Sequence, residues 1–167
     1  MNHAPVKKSG KNKFGINLNE LSWGYIFSSS KETKLQEFQW KVAHNIFPTN
    51  ILLNRMGLKK SEKCDFCGET EYIDHLFYDC KRIGQLWKKV EYMIRNNSNV
   101  NISLNRHNVI LGIEHDEISK TLHQKEVGEI NELLMIAKFS ISKSKSMERN
   151  LEITFENELR IRNKITS

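Results

Sequence analysis

Cys64, Cys67, His75 and Cys80 constrain the folding of this chain more than any other feature. They are spaced C-x2-C-x7-H-x4-C, and all 3 cysteines of the protein fall within residues 64–80. One tetrahedral Zn2+ needs four soft or borderline donors that converge at about 2.0–2.3 Å from one point. A C-x2-C pair on a tight turn supplies two of them, and a His and a Cys on a following helix can supply the others. Gly68, directly after the second cysteine, suits such a turn because glycine tolerates positive φ. The alternatives are three buried thiols, or one disulfide with a free cysteine left over. The odd count argues against a secreted disulfide scaffold. Four protein ligands leave no open coordination position, so the pattern reads as one structural zinc and not a catalytic one.

Composition limits what can surround that anchor. The chain has 167 residues, 38% of them hydrophobic and 28% charged. It can bury a core, but a thin one that a bound metal would supplement. No stretch approaches the roughly 20 apolar residues of a membrane span. Residues Met1–Asn12 are basic but lack an apolar segment, so a secretory signal is not expected. Together with the free thiols, this points to an intracellular protein, nuclear and/or cytoplasmic, and not a secreted one.

The net charge of +6 is unevenly placed. Residues 1–60 hold ten Lys/Arg against three acids, giving +7, so the remaining 16 basic and 17 acidic residues give −1. A basic arm suits a phosphate-backbone partner, because each neutralised phosphate releases counterions. A solubilising tail would have the same composition.

The expected fold is mostly α: a small helical domain organised around one CCHC zinc turn, with a basic flexible N-terminal arm. The division expected is an arm over 1–22, a helical segment with the zinc site over 23–95, and C-terminal helices over 96–167 that pack on it. Leu21, Trp23, Tyr25, Ile26 and Phe27 form an aromatic patch. A helix is predicted over Glu32–Asn45, with Leu35, Phe38, Val42 and Ile46 on one face. Trp40 lies off that stripe, either packed on the aromatic patch or free as a stacking platform. Thr49 should cap a short helix over Ile51–Met56, with Gly57 just past its end. A short helix over Glu71–Tyr78 should present His75, and Cys80 should open a helix running to about Arg95. Ile83, Leu86, Trp87, Val90 and Ile94 line the apolar face of that helix. Val109–Ile113 reads as a short strand or a loop pinned to the core. Helices are predicted over Gln124–Ser142 and Glu148–Asn163, separated by a polar break at Ser144 and Ser146.

From Leu35 to Trp87 the chain resembles the zinc-binding domain at the C-terminus of reverse transcriptases from LINE-type (non-LTR) retrotransposons. The residues that carry the resemblance are Leu35-Gln36-Glu37-Phe38-Gln39-Trp40-Lys41, then Ile46-Phe47-Pro48-Thr49-Asn50 with Leu53. Cys64-x2-Cys67 follows, then Glu71-x3-His75-Leu76-Phe77-x2-Cys80, and then Trp87 seven residues on. Ile110-Leu111-Gly112 and the helix from Asn131 to Lys143 also look like the helices after this module, so the resemblance covers about 23–160. It implies a nucleic-acid-handling accessory domain that engages template RNA and/or target DNA during target-primed reverse transcription. The sequence contains no Asp-Asp pair in a strand–turn–strand context, so no polymerase activity, and no enzyme activity of any kind, is expected. A truncated copy, an excised fragment and a repurposed module all fit.

Several cations are candidates for contact with RNA and/or DNA. Lys7, Lys8, Lys11 and Lys13 crowd the arm. Lys59, Lys60 and Lys63 lead into the metal turn, where they could also offset the charge of zinc thiolates. Lys81, Lys88 and Arg95 are spaced i, i+7, i+14, which on a helix places them in one row opposite the apolar face. Arg82 and Lys89 form a second row beside it. Such contacts hold a backbone and carry little sequence information. Phe66, between the two cysteines, is either a base-stacking residue or a hydrophobic plug under the zinc turn. Trp87 and Phe77 read as core. His44, His107, His115 and His123 are scattered, and Glu114, Asp116 and Glu117 fall short of a carboxylate metal site. Two functions therefore stand side by side. One is a zinc-stabilised nucleic-acid-binding module. The other is a zinc-organised scaffold that docks another protein or domain, such as a reverse transcriptase core. No membrane partner is expected.

Overall fold

The computed structural model describes residues 29–113 and 120–162, which hold six helices and the metal turn. The arm lysines, the 21–27 aromatic patch and the Glu114/Asp116/Glu117 cluster, with His115, lie outside the described residues. Helix α1 is Thr33–Ala43. Its Leu35, Phe38 and Val42 are buried, as their spacing requires, and Phe38 meets three other rings edge-on. Phe47, Phe139 and Phe77 stand 5.2, 5.5 and 5.8 Å from it, centroid to centroid. Edge-to-face pairing at such distances places the positive ring edge on the negative face of its neighbour.

The predicted apolar stripe of this helix loses its last member. The helix stops at Ala43, Asn45 takes a left-handed φ of 57°, and Ile46 turns outward, 46% exposed. Trp40 is 41% exposed and lies 4.5 Å from the His44 ring.

Helix α2 is Asn50–Arg55. The Thr49 hydroxyl accepts from the Leu52 N–H, so the predicted cap is in place. Gly57 follows at φ 71°. A single antiparallel bridge, Lys63 to Thr70, spans the cysteine turn, and the described residues hold no strand.

The helix expected over Glu71–Tyr78 runs over residues 73–79, and His75–Asp79 forms one wide turn closed by the Cys80 N–H donating to the His75 carbonyl at 3.0 Å. A 3-10 turn, Lys81–Ile83, leads directly into helix α3, Gly84–Ser98. Leu86, Trp87, Val90 and Ile94 are buried on α3, with Ile83 just before it, which is the predicted apolar face. The helix runs one turn past Arg95 and ends at Asn99 in the left-handed region.

Val109–Ile113 departs from expectation. It is neither strand nor loop over most of its length but part of helix α4, Arg106–Leu111. Asn105 and Asn108 cap one another's backbone N–H groups at its start. That polar pair is a helix-start signal the apolar run conceals. Gly112 at φ 92° closes the turn, and a Cβ there would stand 2.7 Å from Asn131 Oδ1. The same oxygen accepts from the Ile113 N–H at 2.9 Å, so close approach and conformation both call for glycine.

Helix α5, Gln124–Ser146, is the spine of the fold. Val127, Ile130, Leu133, Leu134, Ala137 and Ile141 are buried on it as the pattern predicts. It packs against α1, α3 and the last helix, α6, Leu151–Ile161. The polar break falls later than expected, at Met147–Asn150, because Ser144 is buried inside α5 and hydrogen-bonded to the Arg149 carbonyl. Asn150 caps α6 through the Ile153 N–H. One core cluster runs through every helix but α2, and Cys64 and Cys80 belong to it.

Candidate metal centre

The metal turn is built by backbone hydrogen bonds before any metal is considered. The Cys64 N–H donates to the Glu69 carbonyl at 2.7 Å, and the Gly68 N–H donates to the Cys64 carbonyl at 3.0 Å. Gly68 adopts φ 76°, as its place in the turn suggested. These bonds curl residues 64–68 so that both sulfurs face the same side. His75 and Cys80 approach from opposite ends of the wide turn, which the His75–Cys80 backbone bond holds at fixed length.

The donor atoms of Cys64, Cys67, His75 and Cys80 all lie within 4.8 Å of one another. Cys64 Sγ and Cys80 Sγ are 3.9 Å apart, and Cys67 Sγ is 3.2 Å from His75 Nε2. Tetrahedral zinc with Zn–S bonds of about 2.3 Å requires sulfurs about 3.8 Å apart, so the pocket has the right size for one Zn2+. All 3 cysteines are free. Cys64, His75 and Cys80 are buried, and Cys67 is half-buried at the outer edge. Burial pushes the Cys80 thiol up to about 12, and the neighbouring Cys64 and Cys67 sulfurs add to the rise. Thiolates crowded into such a pocket need a cation among them, and that donor chemistry fits a structural zinc.

A polar brace fastens the turn to the helices. Glu71 is fully buried. Its carboxylate accepts from the Asn50 N–H at 2.8 Å, at the start of α2, and from the Lys145 ammonium near the end of α5. Lys145 and Lys59 both donate to Asn50 Oδ1, at 2.8 and 3.0 Å. Asn50 Nδ2 in turn donates to the Lys63 carbonyl at 2.7 Å. Lys59 also pairs with Asp65 at 2.7 Å and holds that carboxyl below its usual range. Neither Lys145 nor the centre of this brace was visible as such in the sequence, although Asn50 and Glu71 stand within the strings quoted for the family resemblance.

The structure sorts the proposed contact residues. Lys60 and Lys63 are exposed beside the turn, and Lys81 and Lys88 are exposed around the start of α3. None of these four has a carboxylate partner among the described residues. Lys59 is engaged by Asp65 and Asn50. Lys89 pairs with Glu156 at 2.8 Å and Glu152 at 3.4 Å. Arg95 donates to Asn101 Oδ1 at 2.8 Å. The expected row from Lys81 to Arg95 is broken, because Lys81 and Arg82 lie in the 3-10 turn before α3 and not on it. Phe66 is 54% exposed and is no plug under the turn. The Arg82 guanidinium lies over its ring, 3.7 Å from the centroid. Arg82 also donates to the Ser144 hydroxyl and to the Arg149 carbonyl, at 3.5 Å for the latter. Trp87 and Phe77 are core, joined by the indole N–H donating to the Phe77 carbonyl at 2.9 Å.

Residues 9–87, just under half of the chain, match the family described as zinc-binding in reverse transcriptase. All four ligands and the Trp87 anchor fall inside that match. No curated protein and no solved structure matched the chain.

Proposed function

We propose that this chain is a zinc-stabilised nucleic-acid-binding accessory module, akin to the C-terminal domain of a LINE-type reverse transcriptase, with no polymerase activity of its own. Its partners are RNA and/or DNA, and a reverse transcriptase core is the natural protein neighbour. Three free cysteines suit an intracellular, reducing compartment. Among the described residues no helix is long and apolar enough to cross a membrane.

The observation that carries this reading is the placement, around the metal turn and the start of α3, of cations with no carboxylate partner among the described residues. Lys60 and Lys63 precede Cys64, and Lys81 and Lys88 follow Cys80, so unpaired positive charge flanks the two most buried sulfurs. A rigid, metal-held edge of this kind can follow a phosphate backbone. The arm lysines Lys7, Lys8, Lys11 and Lys13 add a second basic segment in sequence.

The docking-scaffold reading draws on one observation. Lys89 is already paired with carboxylates within the chain, which thins the positive face of α3. Titration of the zinc-loaded protein with structured RNA, single-stranded DNA and duplex DNA at two salt concentrations separates the two. Phosphate contact gives affinity that falls steeply with salt, and deletion of residues 1–19 weakens it. Absence of binding at low salt would leave the scaffold reading in its place.

A further inference from the structure

A cleft of about 500 Å3 opens between the metal turn, the start of α3 and the start of α6. That volume falls in the roughly 300–1,000 Å3 range of small-ligand sites. Its floor is apolar, made by Leu86 and Phe155, both buried, and half-buried Leu151. Its rim combines Phe66 from the metal turn with Arg82, Gln85 and Arg149. We propose that this cleft is a subsite for one unpaired nucleotide of a single-stranded RNA or DNA, and this deepens the nucleic-acid reading given above.

Three features fix the class of ligand. The first is the Phe66–Arg82 pair. The Arg82 guanidinium lies over one face of the ring, 3.7 Å from its centroid, and is held there by its bonds to Ser144 and to the Arg149 carbonyl. A phenyl ring and a guanidinium plane are the two surfaces on which unpaired bases stack. The second is Gln85, exposed in the cleft, whose side-chain amide makes no hydrogen bond among the described residues. It offers a donor and an acceptor side by side to a base edge. The third is Arg149, exposed at the turn between α5 and α6, with no carboxylate partner among the described residues. It can take the phosphate that accompanies the base.

Further charge in the cleft narrows the choice. Glu148 and Glu152 also line the cleft, and Lys89 is committed to Glu152 and Glu156. A cleft that holds carboxylates beside its cations does not suit a run of phosphates. It suits a single nucleotide, with its base on the apolar floor and its phosphate turned toward Arg149. A duplex, whose bases are stacked and paired, cannot present one here without first flipping it out.

The test uses the full, zinc-loaded chain with 24-nucleotide oligo-U and oligo-dT carrying a single 2-aminopurine, and a 12-base-pair duplex of nearly matched charge. The subsite predicts tighter binding of the single strands and a change in 2-aminopurine fluorescence as the base stacks. Phe66→Leu removes the aromatic face, and Gln85→Ala and Arg149→Gln remove the edge and phosphate contacts. Phe66→Leu should weaken single-strand binding by roughly 5- to 100-fold and leave duplex binding unchanged. Gln85→Ala, on an exposed side chain, should weaken it by a smaller factor with zinc content intact. If single strand and duplex bind alike and all three variants bind like the parent, the subsite is overturned while nucleic-acid binding stands. If the parent binds no probe at low salt, both fall. A preference between oligo-U and oligo-dT, which differ in the sugar and in the C5 methyl of the base, supports the site when the variant effects are in place.

Discussion

The Lys145 ammonium crosses 74 positions of sequence to reach the buried carboxylate of Glu71, and so ties the last turns of α5 to the loop that carries the zinc ligands. Glu71 has no solvent exposure and accepts from the Asn50 N–H at the same time. One carboxylate therefore joins three parts of the chain: the start of α2, the metal turn and the end of α5.

Breaking one side of such a pair leaves a buried charge without compensation, which costs about 3–5 kcal/mol. Lys145→Met should destabilise the protein by that order in urea unfolding. Glu71→Gln should cost less, because an amide oxygen still accepts from Asn50 while Lys145, near the surface, keeps Asn50 Oδ1. The double variant should be less destabilised than the sum of the two single variants, since the stranded carboxylate is gone. Strict additivity would show that the two side chains are not coupled.

The metal centre predicts one zinc per chain. Metal binding should supply much of the stability of residues 58–95, because the folding of the turn is coupled to the metal. Cys80→Ser should lose stoichiometric zinc and lower the melting temperature, as read by metal analysis and thermal unfolding together. Full zinc content with an unchanged melting temperature would mean that Cys80 is no ligand.

Trp87 anchors α3 to the turn that carries His75. Trp87→Ala should cost about 3–5 kcal/mol through the cavity it leaves. Trp87→Phe keeps most of the volume but strands the Phe77 carbonyl, and should cost about 1–3 kcal/mol. An unaltered melting curve for Trp87→Ala would place this side chain outside the core.

The four ligands were legible because they sit within a short span with no competing cysteine. The buried faces of α1, α3 and α5 were legible from helical periodicity. Ile46 misled because its spacing continued a helix that Asn45 had already ended. The Val109–Ile113 run misled because a short apolar stretch reads alike as strand or buried helix, and only the Asn105–Asn108 cap decides. The Glu71–Lys145 pair and the cleft beside Phe66 depend on contacts between distant segments, and no local pattern announces those.

Lys138 gives the fold a pH signature. Its ammonium lies in the core, 1% exposed, donating to Gln39 Oε1 and to the Ile110 carbonyl, and burial pulls its pKa down to about 7. The folded value lies below the ordinary lysine value of the unfolded chain, so between about 7 and about 10.4 the unfolded state binds more protons. Stability attributable to this residue should therefore rise with pH across that window and stay flat below it. The unfolding free energy of the parent minus that of Lys138→Met, followed from pH 6 to pH 10, isolates the effect. A flat difference would show that Lys138 keeps its proton in the fold.

The salt slope of nucleic-acid binding is the most direct test of the proposed function. The measurement is log Kd against log salt concentration for the zinc-loaded parent and for a variant with Lys60, Lys63, Lys81 and Lys88 all changed to Gln. These four side chains are exposed and have no carboxylate partner among the described residues, so zinc content and fold should survive the change. Phosphate contact predicts a steep slope for the parent and a loss of about one unit for each phosphate contact removed in the variant. A parent slope near zero, or a variant with the parent's slope and affinity, would contradict it.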